Sequence, residues 1–206
     1  IDLEEPDAGL KLRSDAVQEG WAKDTTWVVL TRKVDRQTAQ YEIERCRAAG
    51  QPFAIHASFP RPHQCTSPSH EFWDLYEGVD IPLPPNADCD PRAAGKSPGQ
   101  IAKYDQWRTG AWALLEPRTF AAARARKLRG YLAAISQVDA AVGQILDHLR
   151  RHDLEADTTV VYSSDHGDYA AEHGLMEKAP GLGSDAITRV PMLWWGAGVA
   201  PGGRIA

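Results

Sequence analysis

The chain has 206 residues, enough for one domain with its own core, and 43% hydrophobic with 25% charged residues is ordinary for a globular protein. A formal net charge of −5 argues against a nucleic-acid partner, because holding a phosphate backbone takes clustered Lys and Arg that release counterions. No stretch approaches the roughly eighteen apolar residues of a membrane span and no charged-then-apolar leader opens the chain, so no membrane partner is expected. The chain begins at Ile1 and not at Met, which reads as a processed or truncated product whose export signal could have gone with the missing part. Its location is therefore open, with a soluble, cytoplasmic protein slightly favoured.

Residues 1–23 are acidic and irregular, with Pro6 and Gly9, and are expected to connect. Residues 25–30 are a candidate short strand. From 35 to 49, Ala39, Ile43, Cys46 and Ala49 recur at three- and four-residue steps ahead of Gly50, predicting a helix with a C-terminal stop. Residues 53–59 predict a buried strand. Its exit, Pro60-Arg61-Pro62-His63, is stiffened by two prolines whose fixed φ limits where His63 can point, as a positioned ligand contact requires. From 64 to 116 the chain reads as loop, with prolines at 82, 84 and 85. Phe72, Trp73, Tyr76, Trp107 and Trp112 sit in or beside it, and packing beneath the loop is favoured over lining a pocket. The GKSPG at 95–99 lacks the first glycine, the preceding strand and the following helix of a phosphate loop.

A helix is predicted from about 119 to 151, with Leu128, Tyr131, Leu132, Ile135, Val138, Val142, Ile145, Leu146 and Leu149 on one core-facing stripe. Arg150, Arg151 and His152 close it with charges that suit a helix C-terminus. Next, the β-branched run 158–162 stops at two serines and is followed at once by Asp165, His166 and Gly167. A carboxylate and an imidazole at the tip of a strand stand where open α/β sheets put their chemistry. Neighbouring residues of a strand point to opposite faces, so this pair can grip one ion only where the strand has ended and the backbone turns, which Gly167 permits. Residues 190–195 predict a further buried strand, and Gly196, Gly198, Pro201, Gly202 and Gly203 the turn after it. The three cysteines, Cys46, Cys65 and Cys89, are too few and scattered for a disulfide scaffold or a zinc cluster, and unpaired thiols are expected.

Several of these words occur together in one family. SSDHGD at 163–168, AEHGLMEK at 171–178 and TRVPMLWWGAG at 188–198 resemble, in order, the metal strand, the turn with its lysine, and the following strand of the sulfatase family in the alkaline-phosphatase-like superfamily. Lys178 lies 13 residues past Asp165, similar to the Asp-His subclass. Upstream, FAIHASFPRPH at 53–63 resembles the strand and histidine loop of that family, and YLAAISQVDAAVGQILDHL at 131–149 resembles its long helix. The resemblance runs from about residue 35 to 204.

It implies an α/β fold with a mixed or mostly parallel sheet flanked by helices, present here as a partial alkaline-phosphatase-like domain over 1–206. It implies that Asp165 and His166 are metal ligands, that Lys178 meets the sulfate, and that His63 contacts the substrate, donating to the sulfate or protonating the leaving group. The metal would be a divalent ion, with Ca²⁺ first because the site is carboxylate-rich, and Mn²⁺ or Zn²⁺ open because one ligand is an imidazole. The substrate would be a small-molecule sulfate ester. His173 and Arg189 are expected to serve structure. Oligomeric state is open.

The family's nucleophile is a formylglycine made from the cysteine of a Cys-x-Pro-x-Arg signature, and neither Cys65-Thr66-Ser67-Pro68 nor Cys89-Asp90-Pro91-Arg92 matches it. Both also follow His63, whereas that signature precedes the histidine loop. The formylglycine, with the paired acidic ligands of the family's N-terminus, is thus expected in a missing N-terminal part, and this chain alone is expected to be inactive. A phosphonate monoester or phosphodiester hydrolase of the same superfamily and a non-catalytic fragment or interaction module are the alternatives.

Overall fold

The computed structural model describes residues 26–30, 36–63, 67–109, 120–178 and 183–203. The connecting segment expected at 1–23, Cys65 and Trp112 lie outside the described residues. In chain order the elements are β1 (Thr26–Leu30), α1 (Arg36–Ala48), β2 (Phe53–Ala57), α2 (His70–Asp74), α3 (Pro98–Thr109), α4 (Phe120–Arg151), β3 (Thr159–Ser163), α5 (Asp185–Thr188) and β4 (Met192–Gly196). The chain forms two compact units, one of Ile1–Arg61 with Val138–Leu154 and one of Pro62–Gln137 with Glu155–Ala206.

In the first unit β1 and β2 pair in parallel, with Val28 opposite Ile55. Parallel neighbours need a crossover, and α1 supplies it. Three of the four predicted stripe positions, Ala39, Ile43 and Cys46, are buried, with Ala39 packed against Ile55, Ala57 and Ile145, whereas Ala49 lies just past the helix end and is exposed. The predicted stop is a Schellman closure, in which the Gln51 amide donates to Cys46 O at 2.9 Å and the Gly50 amide to Arg47 O at 3.0 Å, with Gly50 at φ 62°. The end of α4 closes in the same way, Leu154 N donating to Leu149 O at 2.9 Å and Asp153 taking the positive φ of 56°.

In the second unit the core is built around Ala87, Trp107, Leu128, Ala171 and Met176, with Tyr104, Tyr169 and Leu175 beside it. β3 and β4 pair antiparallel, Val161 opposite Trp194 and Ser163 opposite Met192. One parallel and one antiparallel pair with helices make the protein α/β with mixed pairing, as expected. Among the described residues no helix is long and apolar enough to cross a membrane.

Three expectations need correction. The span 64–116 is not all loop, because α2 occupies 70–74 and α3 98–109, so a helix does follow the glycine and lysine of 95–96. Ser97 and Gln100 cap it reciprocally, the Gln100 amide donating to Ser97 Oγ at 3.3 Å and the Ser97 amide to Gln100 Oε1 at 3.2 Å, with Pro98 in the first turn. Second, β4 is not buried: Met192, Leu193 and Trp194 are 61, 56 and 56% exposed. An apolar run says that burial is favourable without saying which segment does the covering. Third, Ile135 on the α4 stripe is 38% exposed, while the smaller Ala133 and Ala134 are fully buried. The aromatic residues pack as expected: Trp107 is in the core and the Tyr76 hydroxyl lies 2.8 Å from Ser136 Oγ. Cys46 and Cys89 are unpaired.

Candidate functional site

β3 ends at Ser163, and the turn beyond it is organised by its own side chains. The Asp165 carboxylate accepts from the His166 amide at 2.9 Å, and Ser164 Oγ donates to His166 O at 2.8 Å. The Gly167 amide then donates to Ile187 O at 2.7 Å, drawing the turn against α5. Here the glycine serves close approach, since a Cβ would stand 2.0 Å from Ala186 O. Sequence alone assigned Gly167 to turning the chain; the contact with a residue twenty positions later was not visible in it.

The His166 ring is fixed by both nitrogens. Nδ1 lies 2.8 Å from Gly167 O, and a carbonyl can only accept, so Nδ1 carries a proton, and in the neutral ring Nε2 then has the lone pair. That Nε2 stands 2.7 Å from Lys178 Nζ and 3.3 Å from Asp165 Oδ2. Imidazole, carboxylate and ammonium therefore meet at one point. Burial opposes the charge on Asp165, but the His166 amide and the nearby His166 and Lys178 outweigh it and hold the carboxyl below its usual range.

Lys178 reaches this point because the loop before it is tightly held. A single oxygen, Asp168 Oδ1, accepts from the Ala170 amide at 2.8 Å and from the Glu177 amide at 2.9 Å, and Tyr169 N donates to Glu177 O at 3.0 Å. Tyr169, Ala171 and Leu175 are wholly buried and Met176 nearly so. Each large apolar side chain so buried contributes about 2 kcal/mol, which anchors the loop beneath the site. Four non-glycine residues in it, Ala170, Ala171, His173 and Glu177, take positive φ between 44° and 78°. Such conformations are costly and persist where surrounding contacts over-determine them, often at functional sites. Glu177, next to the lysine, also pairs with Lys127 of α4 in the interior. His173 is held by Asn86, whose Oδ1 accepts from its amide at 3.1 Å, which agrees with a structural task. Arg189 is the C-cap of α5, its amide donating to Asp185 O at 3.0 Å.

His63 ends the exposed turn after β2, in the same unit as the other three residues. Of the four residues singled out from sequence, Asp165, His166 and Lys178 are thus brought together. Asp168, which positions Lys178, was missed. Its only signal was its place between the Asp-His pair and the lysine.

A divalent ion fits the pair. Two donors bonded to one ion at about 2.1–2.4 Å and near a right angle stand about 3.2 Å apart, close to the separation of Asp165 Oδ2 and His166 Nε2. The Nδ1 hydrogen bond to a carbonyl is also what orients an imidazole ligand in metal sites.

The sulfatase family profile matches residues 14–205. The chain belongs to the sulfatase family. It is 30% identical over 154 residues to the choline-sulfatase of Rhizobium meliloti (strain 1021), covering 73% of this chain and 28% of that protein. It is 27% identical over 153 residues to the multifunctional alkaline phosphatase superfamily protein PehA of Trinickia caryophylli, covering 72% of this chain and 29% of that one. Among solved structures, one determined in complex with its substrate D-glucosamine-2-N,6-O-disulfate superposes with a TM-score of 0.60 at 16% identity, covering 79% of this chain and 43% of that one. This sulfatase-family chain therefore spans under a third of the length of the two curated relatives, and the solved neighbour supports its fold.

Proposed function

We propose that the protein is part of a metal-dependent sulfuric ester hydrolase, in which residues 1–206 supply the later part of the catalytic domain. The observation that carries the reading is the meeting of Asp165, His166 and Lys178 at the end of β3, in a chain of the sulfatase family. Asp165 and His166 would hold the divalent ion, Ca²⁺ in the first instance. When bound, such an ion neutralises charge on sulfuryl oxygens and holds a nucleophile in line with the sulfur.

The chain's own residues do the rest. Nε2 of His166 has one lone pair, so it can serve an ion or accept from Lys178, not both. Were His166 to hold the ion, the Lys178 ammonium would no longer be bound to its ring and would offer a compact charge suited to a tetrahedral anion. Asp168 keeps the freed lysine near the strand end by holding the Glu177 amide. His63, on its proline-stiffened turn, would donate to the sulfate or to the leaving oxygen. The nucleophile, a formylglycine in this reading, belongs to a segment outside these residues.

Sulfate esters as the substrate class are supported by two of the three named proteins, the choline-sulfatase and the disulfated glucosamine complex. A second reading, hydrolysis of phosphonate or phosphate esters, is favoured by the similarity to the multifunctional superfamily protein. Assaying the complete protein from its natural source on aryl sulfate and aryl phosphonate esters decides between them. Faster sulfate turnover, lost on Lys178→Ala, is expected; a preference for the phosphorus ester would overturn the first reading.

A further inference from the structure

A second group of potential ligands lies in the first unit. His148 lies on the last turn of α4 and His152, four residues on, directly follows its end, where its amide still donates to Leu149 O at 3.3 Å, so the i, i+4 spacing of a helix keeps both rings on one side. Their centroids are 4.5 Å apart. Glu44 reaches them from α1. Its Oε1 stands 3.0 Å from His148 Nε2 and 2.9 Å from His152 Nε2, and the three ligand atoms lie within 4.8 Å of one another. The other carboxylate oxygen, Oε2, is held by Arg47 at 3.1 Å, which fixes the direction of Oε1.

Two facts set this cluster apart from an ordinary ion pair. Glu44 Oε1 and His148 Nε2 are both buried, and neither has a hydrogen-bond partner despite the short separation. In addition, adjacent ligands of an ion bonded at about 2.0–2.2 Å lie about 2.8–3.6 Å apart, a range that holds both Glu44–histidine separations.

We propose that Glu44, His148 and His152 form a site for Zn²⁺ or a similar late first-row divalent ion, tying α1 to the end of α4. Two imidazoles and a carboxylate are the donor set such ions select, and three protein ligands leave a coordination position for water. The sequence signal was the His148-x-x-x-His152 spacing on a predicted helix, the arrangement by which two histidines on one face share a metal. Sequence reading had assigned His152 only to helix-end charge.

The full chain carrying Asp165→Ala, which silences the strand-end pair, is titrated with Zn²⁺ by calorimetry near neutral pH, and with Co²⁺ by visible absorption. One equivalent is expected to bind, with the Co²⁺ form showing the bands of a nitrogen- and oxygen-ligated ion. Losing even an outer-shell partner of a metal weakens binding about 10–100-fold, so His152→Ala and Glu44→Gln should each weaken it at least tenfold. A measurement needing no variant accompanies this: Zn²⁺ should shield both histidines of the unmodified chain from carbethoxylation, read by peptide mass. Absence of Zn²⁺ binding in the Asp165→Ala chain, undiminished binding in both ligand variants, or histidines that label equally with and without Zn²⁺ would overturn the site.

Discussion

Asp168 is the side chain that sets where Lys178 stands. One of its oxygens receives two backbone amides, Ala170 and Glu177, and so closes the loop that ends at Lys178. Hydrogen bonds to a charged acceptor are worth about 1.5–3 kcal/mol each, so losing both in Asp168→Ala is expected to cost the second unit about 3–6 kcal/mol in urea unfolding, with Asp168→Asn milder. In the complete enzyme the displaced lysine should lower kcat about 100-fold, the usual consequence of a misplacement near 1 Å. Calcium binding by this chain should be weak, because a firmly held Ca²⁺ takes six or more oxygens and Asp165 and His166 are two donors. A dissociation constant of about 1 mM, near 4 kcal/mol, is expected from calorimetry, and a tight isotherm lost on Asp165→Ala would show further ligands in these residues. The Asp-His pair and Lys178 were legible because residue type and spacing announce them. The Asp168 clamp and the Glu44 partner of His148 were not, since each depends on a backbone path or a packed helix that composition does not encode.

Elements were legible where local chemistry repeats. The stripe and glycine stop of α1 and the length of α4 were visible in periodicity, whereas α3 was hidden behind a proline and two glycines although its Ser97 to Gln100 capping box was there to be read. Faces were harder than elements, as the exposure of Ile135 shows. The α4 face beneath the site can be probed at Tyr131. Burial, with smaller contributions from Asp168 and Tyr162, pushes its phenol up from 10.0 to about 12. A group with a raised folded pKa stabilises fully below its unfolded value and loses that contribution as pH rises through the folded one. The second unit should therefore weaken between about pH 10 and 12, by about 1–2 kcal/mol after allowing for the ring's partial exposure. Tyr131→Phe should remove that alkaline loss in denaturant melts at pH 8 and pH 11; an unchanged slope would mean that the phenol ionises freely.

At the scale of the molecule, the β3–β4 ribbon is the feature that the chain leaves unfinished. Val161, Met192 and Trp194 share one face, by register, and are 47, 61 and 56% exposed. Contiguous apolar surface on a two-stranded ribbon favours association, so the chain as given should self-associate at raised concentration in sedimentation, and Trp194→Ser should reduce this without unfolding it. An indole left in water also emits at longer wavelength than one in an apolar surround. Trp194 is consequently a built-in optical gauge: the difference between the chain and Trp194→Phe should be a red, iodide-quenchable emission that moves to the blue when another surface closes over the ribbon.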